Sequence, residues 1–408
     1  MTITQGRSSH HSSIEAGREA ASQALAAFEA GGGKPGWALL FAGGRHDCKE
    51  LLAAVRGVLG DILVIGGSTV GTIHKDGSSY THFEVLLTLL PLELAPAAVV
   101  FASLKDGEKE AGRSIGRCLA ESGQPGSSAL VFYDSIEKTP PPKLYVGGSL
   151  LDGIYDELGE LGSQITIFGG GMVGDLQMAN SFVFDGTGVQ QHIAVGVLLP
   201  HAMEAHCKTM HGCIPISAPM EITAVDGNCI FELDGKPALD VILEVTGSDR
   251  SEESLRRICL GISVGKNYGE LWGEYDENNY VNRLLIAANP QNGSIIIFDD
   301  DFTVGDQVEL MSRDNDLMVK SVRSGTIAMT EALATHDALF ALYIDCAGRS
   351  RAWCGHSEEE ADTFRDCFGL PVPIMGCYIG VEMTPVRGRT RPCDWNGVLT
   401  VFTLRQDR

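Results

Sequence analysis

No stretch of the chain approaches the ~18 uninterrupted apolar residues of a membrane-spanning helix. Basic residues are scarce: 31 Lys and Arg stand against 53 Asp and Glu, a formal charge of −22. That deficit opposes nonspecific contact with nucleic acid or an anionic membrane, since both are held by cations close to phosphate. No two of the 11 cysteines stand at CxxC spacing, and their number is odd. With no metal-knuckle spacing they read as reduced thiols without a disulfide. The opening "MTITQGRSSHHSS" lacks the apolar core of a secretory signal, so a cytoplasmic location is expected.

A phosphate loop is missing as well. "VIGGSTVGTI", residues 64–73, is rich in glycine, but Thr72 stands where a Walker loop needs Lys. A dinucleotide fingerprint would open a long helix, whereas "IHKDGSSYTHFEVLLTLL" follows with a Gly-Ser turn and a strand-like run.

What is present is an ordinary globular composition, 44% hydrophobic and 21% charged, in a chain of 408 residues, long enough for about two or three domains. One grammar recurs three times. "WALLFAGG", the helical "HDCKELLAAVRGVLG" and "DILVIGGSTVG" form the first copy. "SALVFYDS", "LLDGIYDELGEL" and "QITIFGGGMVGDL" form the second. "ALFALYIDCAGR", "HSEEEADTFRDCFG" and "PVPIMGCYIGVEM" form the third. Ser357 and Glu360 stand at capping-box spacing at the start of the third helix. Each closing strand carries glycines four apart: Gly67 and Gly71, Gly170 and Gly174, Gly376 and Gly380. Glycine inside a strand marks a bend or a close backbone approach, so three copies predict an architectural turn.

"SIEAGREAASQALAAFEA" before the first copy and "DNDLMVKSVRSGTIAMTEALATH" before the third read as helices, the latter weakened by Gly325. "RLLIAANPQNGSIIIFD" and "PMEITAVDGNCIFEL" carry Asn-Gly and Asp-Gly between apolar runs, a hairpin signal. The expected fold is mixed α/β, repeated strand-helix-strand units with hairpins in two related halves. Residues 1–14 read as a flexible tail. A domain boundary is expected between about 218 and 240, where Pro219, Gly227, Gly235 and Pro237 cluster.

These segments, in their order along the chain, resemble the FIST family of signal-transduction sensory domains. "VIGGSTVGTI" is similar to its Gly-Cys-Ser-Thr-x-Gly segment, with Gly67 in place of the Cys. "HGCIPISAPMEITAVDGNCIFELDGKPAL" resembles the junction of its two halves, and "YVNRLLIAANPQNGSIIIFDDDFTVGDQVELMSRDND" the opening of the second half. "IDCAGR" and "IMGCYIGVEMTP" match its Cys-x-Gly-Arg and aromatic-Gly-Glu signatures, the latter with one extra residue before Glu382. The resemblance implies an N-like domain over residues 15–225 and a C-like domain over 226–408. It implies a small-molecule ligand such as an amino acid, and output in trans through a histidine kinase or another signalling protein. Some members are haem-based nitric oxide sensors, which makes haem an alternative cofactor.

The ligand site is expected where the third glycine turn, the end of "IDCAGR" and the start of "NRLLIAANP" meet. Arg283 and Arg349 would pair with a carboxylate. Cys346, Gly348 and Gly376 would frame the pocket, Tyr378 would cover the apolar part, and Glu382 would meet an amine. A structural ion pair stands beside the ligand role for Arg283, and a turn cap beside it for Ser68 and Thr69. Cys346 as the nucleophile of an enzyme is a third reading, without a local His partner. "HAMEAHCKTMHGC" gathers soft ligands, of which His206, His211 and Cys213 are the haem or metal candidates, although the spacing matches no finger or zincin. Trp37, Trp272, Trp353 and Trp395 stand too far apart in sequence to suggest a cage. Thiol titration in denaturant without reductant is expected to recover all 11 cysteines; a reproducible shortfall of two would overturn the all-reduced reading.

Overall fold

The computed structural model describes residues 1–140 and 143–406. It is mixed α/β, as expected, in two domains. The larger holds three six-stranded sheets with one strand order. The first runs Thr4–Ser8, Val85–Pro91, Pro35–Gly43, Leu63–Thr69, Val183–Asp185, Val189–Gln190. The second runs Ala98–Ser103, Ile193–Leu198, Ser128–Asp134, Thr166–Met172, Val381–Val386, Arg389–Cys393. The third runs Met203–Met210, Gly397–Leu404, Ala338–Cys346, Ile374–Ile379, Thr72–His74, Gly77–Ser79.

The centre of each sheet is the parallel pair that the repeat predicts, joined by a crossover that contains a helix. The strand after each glycine turn leaves its own sheet. Thr72–His74 pairs with the third unit, Val381–Val386 with the second, and Val183–Asp185 with the first. The exchange is cyclic. Each sheet is completed by a strand that another unit supplies.

Side-chain alternation sorts the layers. On Pro35–Gly43, Leu39 and Phe41 face a common core, while Ala38 and Leu40 face the helices Ser13–Ala30 and Cys48–Leu59. The common core joins all three sheets: Phe41 meets Phe132 edge-on at 5.7 Å, and Phe168 meets Phe402 at 5.6 Å. Helices Glu108–Ser122 and Gly147–Leu158 cover the second sheet, and Asn315–Ala332 with Glu360–Cys367 the third.

The smaller domain, residues 214–312, is inserted between the outer strand of the third sheet and the helix that covers it. Its strands Gln307–Ser312, Met220–Asp226, Cys229–Leu233, Ser294–Ile297, Tyr280–Asn289 and Ile262–Asn267 close into a barrel, since the last pairs back onto the first. The Asp-Gly and Asn-Gly hairpins both lie here.

Three expectations are corrected. Residues 4–8 are an edge strand, because Thr4–Ser8 finds a full antiparallel partner in Val85–Pro91. A boundary at 225/226 falls inside the first barrel hairpin, since the chain leaves the larger domain near 213 and returns near 313. The capping box does not form: the helix begins at Glu360, and that side chain turns inward onto Arg349 instead. All 11 cysteines are free thiols.

The glycine turns are not equivalent in their surroundings. A Cβ on Gly71 would collide with Ser79 O and one on Gly174 with Asn180 Oδ1, whereas at Gly380 the nearest atom is Ser135 Oγ at 3.4 Å. Gly71→Ala and Gly174→Ala are therefore expected to lower the melting temperature. Gly380→Ala should leave it unchanged or raise it, because removing glycine flexibility from the unfolded chain is worth about 0.4–1 kcal/mol where the site tolerates a methyl. Equal losses in thermal melts of all three variants would contradict this.

Candidate functional site

Gly380 opens onto a cavity of about 260 Å³ between the two domains. The larger domain supplies the end of strand Ala338–Cys346, the turn at Ala347–Arg349 and the exchanged segment around residue 395. The loop at Asp175–Met178, which the other two units lack, also reaches it. The barrel supplies Leu284–Ile286 and Phe298, and Arg313 stands where the chain leaves the barrel for the larger domain. The lining is mainly hydrocarbon, as befits a site that gains affinity by burying apolar surface.

Cys346 and Gly348 line this cavity. A side chain at 348 would project toward Trp395 and Cys346 Sγ, both within 3.7 Å of its Cβ position, so glycine keeps the space open. Burial pushes the Cys346 thiol well above its ordinary pKa, as does the nearby Glu382 carboxyl. A thiol held protonated in this way is a poor nucleophile.

Arg283, Arg349, Gly376, Tyr378 and Glu382 do not line the cavity. Arg349 is fully buried and engaged within the chain. Its Nε donates to Glu360 Oε2 at 2.6 Å, Nη2 lies 2.5 Å from Glu360 Oε1, and Nη1 donates to Met210 O and Trp395 O. Arg283 forks onto Asp301, with Nε to Oδ1 at 2.8 Å and Nη2 to Oδ2 at 2.5 Å. Its Nη1 donates to Pro392 O, tying the barrel to the second sheet. Both arginines thus hold structure together around carboxylates of the chain itself. Breaking a buried pair of this kind typically costs about 3–5 kcal/mol.

Tyr378 Oη donates to Glu359 Oε1 at 2.8 Å, on the helix side of the third sheet. A Cβ on Gly376 would lie 2.6 Å from Tyr343 O, so this glycine serves strand packing. Glu382 pairs with Gly170 across the exchanged strand, and its Oε2 accepts from Asn396 N at 3.2 Å. Burial holds its carboxyl well above the usual range. Thr69 Oγ1 donates to Tyr378 O at 2.8 Å, and Ser68 Oγ accepts from Phe182 N at 2.9 Å, so both hydroxyls stitch units together.

The soft-ligand segment is dispersed. His206 lies on Met203–Met210 beside Thr403, with Nε2 3.0 Å from its hydroxyl. His211 is buried, its Nε2 3.0 Å from Glu277 O and its Nδ1 accepting from Cys213 N at 2.9 Å. Among the described residues no three His, Cys, Asp or Glu side chains are grouped to hold a metal.

The charged groups of the cavity are ones that sequence reasoning passed over. Arg313 lies 3.8 Å from the Trp395 ring and donates to Cys259 O at 3.2 Å. Among the described residues it makes no ion pair, and its buried Nε has no acceptor. Burial lowers its pKa. Trp395 is buried with its indole N–H unpartnered, in a left-handed backbone conformation (φ 61°) that is unusual for a bulky residue. Asp394 Oδ2 accepts from Leu284 N at 3.0 Å, and burial pushes its pKa up to about 6. Trp353, on the short helix Arg351–Cys354, reaches the same cavity, so two of the dispersed tryptophans do meet. The one local signal was the run "DWNG", a turn that places a tryptophan just before a strand.

No helix among the described residues is long and apolar enough to cross a membrane. Over 286 residues the chain is 30% identical to an uncharacterized protein of Mycobacterium bovis, covering 68% of this chain and 72% of that protein. It is 26% identical over 415 residues to an uncharacterized protein of Mycobacterium tuberculosis, covering 98% and 100% of the two chains. The FIST N domain matches residues 36–236 and the FIST C domain residues 238–385. With both domains matched in order along most of its length, the chain belongs to the FIST family of signal-transduction sensory domains.

Proposed function

We propose that this protein is a sensor that binds an amino acid or similar small carboxylate in the cavity between the barrel and the three-sheet domain, and that it signals through a separate protein. The observation that carries the reading is Arg313, a largely buried guanidinium with no carboxylate partner at the edge of an apolar cavity. A desolvated cation is costly to leave unpaired, and a ligand carboxylate would relieve that cost through charge-assisted hydrogen bonds. Asp394, on the same wall, would accept from a ligand amine. The hydrocarbon around Phe298, Leu285 and Ile379 would take the side chain. Arg313 and Asp394 would take the roles expected of Arg283, Arg349 and Glu382, which do not line the cavity.

A ligand at this position touches both domains, so its binding energy differs between seated and displaced arrangements of the barrel. That difference is what a ligand needs to shift a conformational equilibrium and be read by a partner. The test is a thermal-shift screen of amino acids and small carboxylates, since a ligand that binds only the native state raises apparent stability. Calorimetry with the ligand so found would follow. A charged contact is worth about 1.5–3 kcal/mol, so Arg313→Gln should weaken binding roughly ten- to a hundredfold. Unchanged affinity in a folded Arg313→Gln protein would place the carboxylate elsewhere.

A further inference from the structure

The cavity does not end at Arg313. A second chamber, of about 600 Å³, adjoins it, and Leu260, Arg313, Trp353 and Trp395 belong to the walls of both. The chemistry changes across that shared wall. The inner chamber is mostly hydrocarbon, while the outer is lined by Arg257, Asp314, Asn315, Asp316 and His356. The outer carboxylates are already engaged: Asp314 Oδ1 accepts from Leu317 N at 3.0 Å, and Asp316 Oδ1 lies 2.9 Å from His356 Nε2. Arg257 has only a loose, exposed contact with Glu253 at 3.8 Å. Between the chambers stand two buried N–H donors without acceptors, Nε of Arg313 and Nε1 of Trp395. Buried donors are almost always satisfied, so a pair of orphans at one neck asks for acceptor oxygens there.

Resting on the reading that Arg313 holds a ligand anion, we infer that the ligand is bipartite: an apolar acyl or aryl group in the inner chamber, joined by an amide to a carboxylate-bearing head in the outer one. The class is that of acylated amino acids. The amide carbonyl accepts from the Trp395 indole, and the head carboxylate meets Arg313 with Arg257 behind it. Trp353, 60% exposed at the rim, lies over the linkage. A free amino acid would fill the neck and the inner chamber and leave the outer chamber to water. A simple fatty acid could meet both neck donors with its two carboxylate oxygens, but would leave the outer chamber and Arg257 to water. Gly380 contributes the room for the acyl group, since it is the one of the three turn glycines whose Cβ position meets no atom closer than 3.4 Å.

Calorimetry of the full chain with glycine, N-acetylglycine, N-hexanoylglycine and hexanoate tests this. Each buried methylene is worth about fourfold in affinity, so N-hexanoylglycine, with four more than N-acetylglycine, should exceed it by roughly two-hundredfold. It should also exceed hexanoate by about tenfold or more, through the outer-chamber contact of its head. Trp395→Phe keeps a ring beneath Arg313 and removes the N–H; it should lower N-hexanoylglycine affinity about fivefold. Gly380→Leu, which puts a bulky side chain on the wall of the inner chamber, should erase the gain from acetyl to hexanoyl in a protein that still melts cooperatively. Hexanoate binding as tightly as N-hexanoylglycine, and dependent on Arg313, would overturn the bipartite class while leaving the small-carboxylate reading intact. So would binding of free amino acids with no gain from acylation. Failure of amino acids, hexanoate and the acyl glycines alike to bind would overturn both.

Discussion

The structure depends on one constraint: no strand-helix-strand unit can complete its own sheet. The chain turns out of each unit at a glycine pair and pairs next in another unit's sheet, first to third, third to second, second to first. The backbone groups of the three closing strands are therefore satisfied only when all three units are present, and an unpaired buried N–H or C=O is costly. The same closure forces the inner faces together into one aromatic core. At the closing strands of the first and second units glycine is required for a steric reason. Gly66 and Gly169 both have φ near +139° and lie against the carbonyls of Leu40 and Val131 on the neighbouring parallel strand, leaving no room for a side chain.

A threefold scaffold would offer three equivalent turns, and the sites differ because their coverings differ. Tyr80 and Ser79 close the first turn, and Asn180 closes the second. At the third, the chain runs on from Gly380 through the exchanged strand Val381–Val386 and returns at Asp394 and Trp395, leaving a space that the inserted barrel roofs. Two buried arginines hold this junction. Arg349 joins Glu360 to the carbonyls of Met210 and Trp395, and Arg283 joins Asp301 to Pro392 O. Their charges are spent on geometry, which leaves Arg313 as the unpaired cation lining this cavity among the described residues.

The local elements were legible because their signals are local. Apolar runs of strand length, amphipathic helices and Asn-Gly turns gave the three units and the barrel hairpins. The exchange of strands was not legible, since Thr72–His74 pairs with Ile374–Ile379 some three hundred residues away and no periodicity encodes that partner. The candidate site was half legible for a similar reason. Cys346 and Gly348 were found because a strand end followed by glycine presents residues to a cleft. Arg283 and Arg349 were marked by residue type, yet a sequence shows a guanidinium and not the Asp301 or Glu360 that will occupy it. Arg313, Trp353 and Trp395 carried little signal, because distance along the chain says nothing about distance in space.

The central claim is that one ligand is held by both domains at once. Hydrogen exchange of the full chain, with and without the carboxylate selected by thermal shift, tests it most directly, since local protection reports the free energy of local opening. The account predicts that the ligand slows exchange together in the barrel strand Tyr280–Asn289 and in residues 346–349 and 394–396 of the larger domain. Protection confined to a single domain, or to the surface around Lys143 and Asn228 away from Arg313, would contradict it.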